Sequence, residues 1–290
     1  MNNSKIRPVI FWITFVAVCL ACTSIQVRIC AFGATDTQCD DTRQLPCLMY
    51  HSVLKSKQGA YIVSPSQIES DLRALKNLGY VSVTTEQLTG FVDGENDLPQ
   101  KPILITFDDG HYNNLYYAEQ LLAKYQMHAV LNIVGCFSEY STTSGDKDNP
   151  NYSHITWDEI AQMSDNGVFE AGNHTYNMHK YKPRFGIAQK VGESDSEYTQ
   201  ALVNDIGKLQ QKLFELTNKE CRIFAYPFGK YSSLSEATLS GMGFRITLTC
   251  NEGVSTIKRG HPESLHLIKR INRSGNYDTQ TVLQKLKCKH

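Results

Sequence analysis

From Val81 to Ile271, short apolar runs alternate with stretches of helical period, and this alternation restricts the fold more than any other feature of the chain. Val81–Thr84, Ile103–Phe107, 129–134, 168–171, 222–226, 244–249 and 266–271 read as strands, being short, apolar and bounded by turn-forming residues. Helices are expected between them at 85–93, 113–125, 156–166, 196–217 and 233–241. An earlier unit leads in with a strand over Leu45–Tyr50. Ser64-Pro65 then supplies an N-cap and a first-turn proline, Ile68, Leu72, Leu75 and Leu78 follow at helical spacing, and Gly79 ends the helix. Residues 136–155 carry no periodicity and are expected to form a long loop, and a short helix closes the chain. Strand–helix alternation predicts a parallel sheet with helical crossovers. The number of units fits an α/β barrel better than a small open sheet.

The N-terminus stands apart. Lys5 and Arg7 precede an apolar run from Val9 to Cys22, so residues 1–32 read as a signal peptide or an N-terminal membrane anchor. The run is short for a membrane span, although Thr23–Val27 would extend it, and Leu20-Ala21-Cys22 resembles a lipoprotein cleavage site. Residues 33–44 are polar and read as a linker, leaving 45–290 as the folded domain. Lys+Arg and Asp+Glu both total 29, with no basic stripe, so no nucleic-acid partner is expected. A monomer is expected. None of the nine cysteines forms a CxxC pair outside the export segment, which excludes a zinc ribbon. Export permits disulfides, and Cys39 with Cys47 is the nearest pair beyond that segment.

The chemistry concentrates at two strand ends. The run Ile103–Phe107 stops at Asp108-Asp109-Gly110. Adjacent carboxylates at the rim of a sheet repel each other unless a cation sits beside them, and a metal ion is the simplest one. The second cluster, Asn173-His174-Thr175-Tyr176-Asn177-Met178-His179, follows the strand at 168–171. Its histidines are five residues apart, which on an α-helix would turn them about 140° from each other, so they converge only from an irregular turn. Two imidazoles and a carboxylate make a three-ligand set that leaves room for water, as a catalytic metal requires. His111, directly after Gly110, is a weaker candidate.

Thr106-Phe-Asp-Asp-Gly110 and His174-Thr…His179 resemble the first two motifs of the polysaccharide deacetylases, the carbohydrate esterase family 4 or NodB-homology group. The five-residue histidine spacing is similar to the branch that contains the exported poly-N-acetylglucosamine deacetylases. The resemblance covers about Pro46 to Ile271. It implies an α/β fold, a distorted (β/α)7-8 barrel of the NodB type, that removes acetyl from N-acetylglucosamine units using a divalent metal, usually Zn2+, with Co2+ or Ni2+ as alternatives. It also implies that Asp108 is the general base and that Asp109, His174 and His179 hold the metal. Cys221–Gly229 matches the groove-lining third motif, with the Phe228 N–H as oxyanion donor beside Pro227. Tyr50, Tyr112, Tyr176 and Phe228 are candidate sugar-stacking rings.

The chain departs from the family pattern at three places. Ala225 stands where the third motif usually opens with an arginine that orients the base, and Arg270 is the candidate replacement. The usual fourth motif is not recognisable in Thr247–Glu252. The late Leu-x-His motif that carries the general acid is missing; His51, at the end of Leu48-Met-Tyr-His51, takes that role if the motif order is permuted. The resemblance therefore implies an exported deacetylase, secreted or anchored at the outer face of a bacterial membrane, acting on an N-acetylglucosamine polymer. Two other readings share the motifs: a metal-dependent amidase on a non-carbohydrate substrate, and a non-catalytic glycan-binding module. Asn173-His174-Thr175 also reads as a glycosylation acceptor at the proposed site, which would point to a secretory system that does not modify it.

Overall fold

The computed structural model describes residues 41–287, so the export segment, most of the linker and Cys39 lie outside it. In chain order the elements are β1 (Thr42–Tyr50), β2 (Ser52–Val53), β3 (Ile62–Val63), α1 (Pro65–Asn77), β4 (Val81–Ser82), α2 (Thr85–Asp93) and β5 (Pro102–Phe107). A π-helix (Asn114–Glu119) then runs into α3 (Gln120–Tyr125), followed by β6 (Ala129–Ile133), α4 (Gly135–Ser144), α5 (Trp157–Asn166), β7 (Phe169–Asn173) and α6 (Asp195–Thr217). β8 (Ile223–Ala225), a 3-10 turn (Pro227–Gly229), α7 (Ser233–Gly241), β9 (Ile246–Leu248), β10 (Val254–Lys258), β11 (Ile271–Asn272) and α8 (Thr279–Leu286) complete the chain. None of the described helices is long and apolar enough to cross a membrane.

Nine of the strands form one sheet in the order β10-β1-β5-β6-β7-β8-β9, with β11 also on β1 and β4 also on β5, while β2 and β3 pair in a separate two-stranded sheet. All neighbours except β1–β10 pair in parallel. The sheet curls until its ends meet. Ile268 bridges Leu248 of β9, and three residues later Ile271 pairs with Leu48 of β1. The expected α/β barrel is present, and it closes through this single short segment.

Alternation along each strand divides the interior into two cores. Leu48 and Tyr50, Ile103, Ile105 and Phe107, and Ala129, Leu131 and Ile133 pack outward against Ile68, Leu72 and Leu75 of α1 and Leu202, Ile206 and Leu209 of α6. Each fully buried Leu, Ile or Phe among them contributes about 1.5–3 kcal/mol. Cys47, Leu104, Val130, Ile223, Ala225, Ile246, Leu248 and Ile268 face inward, and Leu88, Phe91 and Val92 of α2 join that inner core. The inward register, continued beyond the last apolar residue of each strand, reaches His51, Asp108, Asn132, His174 and Arg270. The site is thus the polar top layer of the barrel core.

Local signals set most helix starts. Ser64, Thr84, Thr156 and Ser194 each form a capping box with Gln or Glu three residues on. Several elements depart from the sequence reading, among them the strand expected at 266–271, of which only Ile271 lies in β11. Thr42–Gln44, expected in the linker, belong to β1, because Thr42–Pro46 pair antiparallel with β10, an edge strand the sequence reading also lacked. The expected loop at 136–155 contains α4. Its Ser- and Thr-rich sequence is a poor helix former with no side-chain cap, and it is held from outside. Trp157 Nε1 donates to Glu139 at 2.7 Å, and the backbone N–H groups of Trp157 and His154 donate to Thr142 and Ser141. The helix expected over 113–125 opens instead as the π-helix.

Candidate active site

Three irregular turns at the tops of β5, β7 and β8 deliver the polar residues. Asp109 and Gly110 both have positive φ, 73° and 68°, which turns the chain sharply after β5. Positive φ is uncommon for an aspartate and rarer for a β-branched residue such as Thr175, whose φ is also 73°. The second turn is held by its own polar groups. Thr175 N donates to Asn173 Oδ1 at 2.9 Å, Met178 N to Thr175 Oγ1 at 3.2 Å, and Tyr176 N to Asp205 of α6 at 2.9 Å. This is the irregular turn the five-residue spacing required, and it brings the His174 and His179 rings to 4.9 Å between centroids.

Asp109, His174 and His179 each turn one ligand atom inward, all within 4.8 Å of one another. Asp109 Oδ1 is 3.6 Å from His174 Nε2 and 3.3 Å from His179 Nε2. It is buried and makes no hydrogen bond. His174 Nδ1 lies 2.7 Å from the carbonyl oxygen of Ala225, which only accepts, so Nδ1 carries the proton and Nε2 presents its lone pair to the cluster. Burial lowers the His174 pKa to about 4, which keeps that ring neutral. An orphaned carboxylate oxygen facing two imidazole nitrogens fits a divalent cation. The His179 and Asp109 side chains stay 18% exposed, so the cluster opens to solvent on one side.

Asp108 has a different environment. Arg270 grips it with both ends of the guanidinium, Nη1 to Oδ1 and Nη2 to Oδ2, each at 2.8 Å. Arg270 Nε donates to Thr249 O at 2.7 Å and Nη1 to Thr106 Oγ1 at 3.2 Å, and its side chain is fully buried. Burial works to raise the Asp108 pKa, but the Arg270 charge, with His174 and the Arg270 hydrogen bonds, holds the carboxyl well below its ordinary range. The cation missing from position 225 therefore arrives from the closing segment of the barrel. His51 Nε2 lies 4.0 Å from Asp108 Oδ2, and its Nδ1 is buried without a partner. Burial lowers the His51 pKa against the pull of Asp108 and Asp109.

The aromatic candidates separate. Tyr50 is core, its hydroxyl on Asp71 at 3.0 Å. Tyr112 lies beside Tyr116, 5.9 Å between centroids. Tyr176, expected at the substrate, packs against the backbone of Gly135, where an added Cβ would come within 2.5 Å of its ring, and sits under Lys208 Nζ at 3.6 Å. Phe228 is at the cluster: its ring is 4.5 Å from that of His179, and its backbone has φ 57° beside buried Pro227. Phe228 also lies nearly parallel to Tyr181 and Phe185 at 4.7 and 4.9 Å, two rings the sequence did not single out. His111 Nε2 lies 3.7 Å from Asp109 Oδ2. Asn132 was also missed. It looks like one more residue of a buried apolar strand, yet its amide donates to Asp108 Oδ1 at 2.7 Å. Cys47 is a buried free thiol, with Cys136, Cys221 and Cys250 also free among the described residues. Asn173 is fully buried, its amide donating to Ile206 O at 3.1 Å, so the folded chain excludes a glycan there and the acceptor sequence says nothing about source.

The polysaccharide deacetylase family model matches residues 95–247. The poly-beta-1,6-N-acetyl-D-glucosamine N-deacetylase of Escherichia coli K12 is 22% identical over 216 residues, which is 67% of this chain and 31% of that protein. YxkH of Bacillus subtilis is 24% identical over 217 residues, 75% of this chain and 68% of its own length. The chain therefore spans less than a third of the Escherichia coli relative and about two thirds of the Bacillus one. Among solved structures, a de-N-acetylase of Aggregatibacter actinomycetemcomitans superposes with a TM-score of 0.72 at 22% identity, covering 84% of this chain and all of that one, so the two share a fold. With its family motifs on the strand ends of this barrel, the chain belongs to the polysaccharide deacetylases.

Proposed function

We propose that this deacetylase removes N-acetyl groups from N-acetylglucosamine units of a cell-wall or extracellular polysaccharide, using a divalent metal, Zn2+ before Co2+ or Ni2+. One observation carries the reading. A buried carboxylate clamped by an arginine, Asp108, adjoins a partly open three-ligand cluster, Asp109–His174–His179. A glycan-binding module has no use for that pairing of a free base with a metal set. The Phe228–Tyr181–Phe185 rings beside His179 support a sugar substrate over a small amide. The name of the Escherichia coli relative supports the polymer.

Asp109, His174 and His179 are the residues to hold the metal. Bound there, a divalent cation would polarise the acetamide carbonyl and make a water molecule acidic enough to lose a proton near neutral pH. Asp108 accepts that proton. Arg270 keeps it ionised and fixes the carboxylate plane, so the base is ready at the pH of the reaction. In this reading His51 protonates the leaving amine and the Phe228 backbone N–H donates to the developing oxyanion. In the cell, the N-terminal apolar segment would put the site outside the cytoplasm, secreted or held at the outer face of a bacterial membrane.

The test is acetate release by the purified chain on poly-N-acetylglucosamine and on peptidoglycan, after chelation and after adding back Zn2+ or Co2+. Activity should vanish on chelation and return with metal on one of the polymers. Metal-independent hydrolysis, or none on either polymer, would sink the reading. His51→Ala should keep its metal content and lose about 10²–10⁴-fold in turnover; unchanged turnover removes His51 from the mechanism.

A further inference from the structure

Asn132 is the residue of this site that neither the motifs nor the sequence pattern explain. It sits in β6, in the run Ala129-Val-Leu-Asn-Ile133, and is fully buried. A buried amide inside an apolar strand is costly unless its hydrogen bonds are made. Only half of this one is satisfied: Nδ2 donates to Asp108 Oδ1 at 2.7 Å, while Oδ1 is buried without a partner. A carboxylate accepts and cannot donate, so the amino end of the amide must face Asp108, and the carbonyl end is forced toward the neighbouring strand.

Gly172 is the cross-strand partner of Asn132 in the β6–β7 ladder. A Cβ built on Gly172 would lie 2.1 Å from Asn132 Oδ1 and 2.9 Å from Val130 Cγ1. Residue 172 has ordinary strand backbone, so conformational freedom does not require glycine there. Space does: without a side chain at 172, the Asn132 carbonyl has a slot to enter.

We propose that Asn132 is a positioning residue for the base and that Gly172 exists to admit it. Asp108 Oδ1 then receives two donors, Arg270 Nη1 and Asn132 Nδ2, whereas Oδ2 receives only Arg270 Nη2 and lies 4.0 Å from His51. Saturating Oδ1 leaves Oδ2 as the oxygen that takes the proton from the attacking water. His51 gives its own proton to the leaving amine and is reprotonated from Oδ2, which lies 4.0 Å away, so both groups end the cycle as they began it. The inference rests on the deacetylase reading above and assigns that proton transfer to one atom.

The experiment compares Asn132→Leu, Asn132→Ala, Gly172→Ala and the Asn132→Ala/Gly172→Ala double variant with the wild-type chain. Their kcat and KM for acetate release, bound metal and Tm are measured. Asn132→Leu keeps the shape but removes the donor and the orphaned carbonyl. Its kcat should fall about tenfold or more, as loss of a hydrogen bond to a charged group predicts, with KM, metal content and Tm not reduced. A role in stability alone would lower Tm and spare kcat. If Asn132→Leu does not fold, Asn132→Ala carries the same kcat reading. Gly172→Ala should lose both Tm and kcat, and adding Asn132→Ala should restore Tm while kcat stays at the Asn132→Ala level. Wild-type kcat in Asn132→Leu or in Asn132→Ala, or recovery of wild-type kcat in the double variant, overturns the proposal. A wild-type chain that releases no acetate overturns the functional reading and this inference with it, whereas an active wild type beside a fully active Asn132→Leu overturns this inference alone.

Discussion

Two buried arginines three residues apart, Arg270 and Arg273, flank β11 and face opposite sides of it, as strand alternation requires. Arg270 points into the barrel and clamps Asp108. Arg273 points out beneath α1 and clamps Asp71, Nε to Oδ2 at 2.5 Å and Nη2 to Oδ1 at 3.3 Å. The pairs look alike but differ in what completes them. Asp71 is closed: Tyr50 Oη donates to Oδ2 at 3.0 Å and Thr279 Oγ1 to Oδ1 at 2.6 Å. Arg273 also donates to the Ser274 and Tyr277 carbonyls, which ties the segment leading to α8 onto α1. Asp108 keeps one oxygen toward His51 and sits beside the Asp109–His174–His179 cluster. A buried ion pair is weak evidence for net stability, and a saturated one has no free valence for chemistry. The comparison teaches that the unsaturated oxygen, not the arginine, marks the functional pair.

The largest effect should separate the two carboxylates. Asp108→Asn and Asp71→Asn each leave a buried guanidinium unpaired, and each should cost about 3–5 kcal/mol in denaturant unfolding. Only Asp108→Asn should also cut turnover of the folded enzyme, by about 10²–10⁴-fold. Equal turnover in the two variants would erase the distinction.

A second effect concerns the direction of pH dependence. In the wild type, Asp108 has a lowered pKa, so the stability it contributes is complete above about pH 4, the unfolded value, and is lost as pH falls below it. In metal-free Arg270→Met, burial acts on Asp108 without its cation and should raise the pKa above the unfolded value. The contribution then changes sign. Relative to wild type, the variant should lose stability as pH rises above about 4, and unfolding midpoints across pH 3 to 7 would read the difference. Parallel curves for variant and wild type would mean that Arg270 does not set the ionisation of Asp108.

The smallest effect sharpens the closed pair. Thr279→Val removes one hydroxyl donor from Asp71 and should cost about 1.5–3 kcal/mol with kcat and KM unchanged. A change in kcat would show that the two pairs communicate through β11.

The sequence exposed the parts of the site that lie next to one another along the chain. Asp108 and Asp109 ended an apolar run, and His174 and His179 shared one turn, so their chemistry could be read from type and spacing. Arg270 was legible only as a cation on a late strand, because its partner lies 162 residues earlier. Asn132 and Gly172 were illegible. Strands of a parallel sheet are buried on both faces, so an inward polar residue does not stand out from its apolar neighbours by period. The helix α4 and the first residues of β1 failed for a related reason: their hydrogen bonds come from Trp157, His154 and β10, none of them local.

What the sequence determined by itself is most of the alternation of strands and helices, the capped helix starts and the placing of Asp108, Asp109, His174 and His179 at strand ends, since each depends on residues within a turn or two. What only the tertiary structure decided is which oxygen of Asp108 is left free, which arginine is spent on structure, and which glycine makes room for an amide. Those outcomes depend on contacts between segments tens to hundreds of residues apart. They are fixed when the sheet curls and the 268–272 segment closes it, because only then do the inward faces of β5, β6, β7 and the closing segment share one interior.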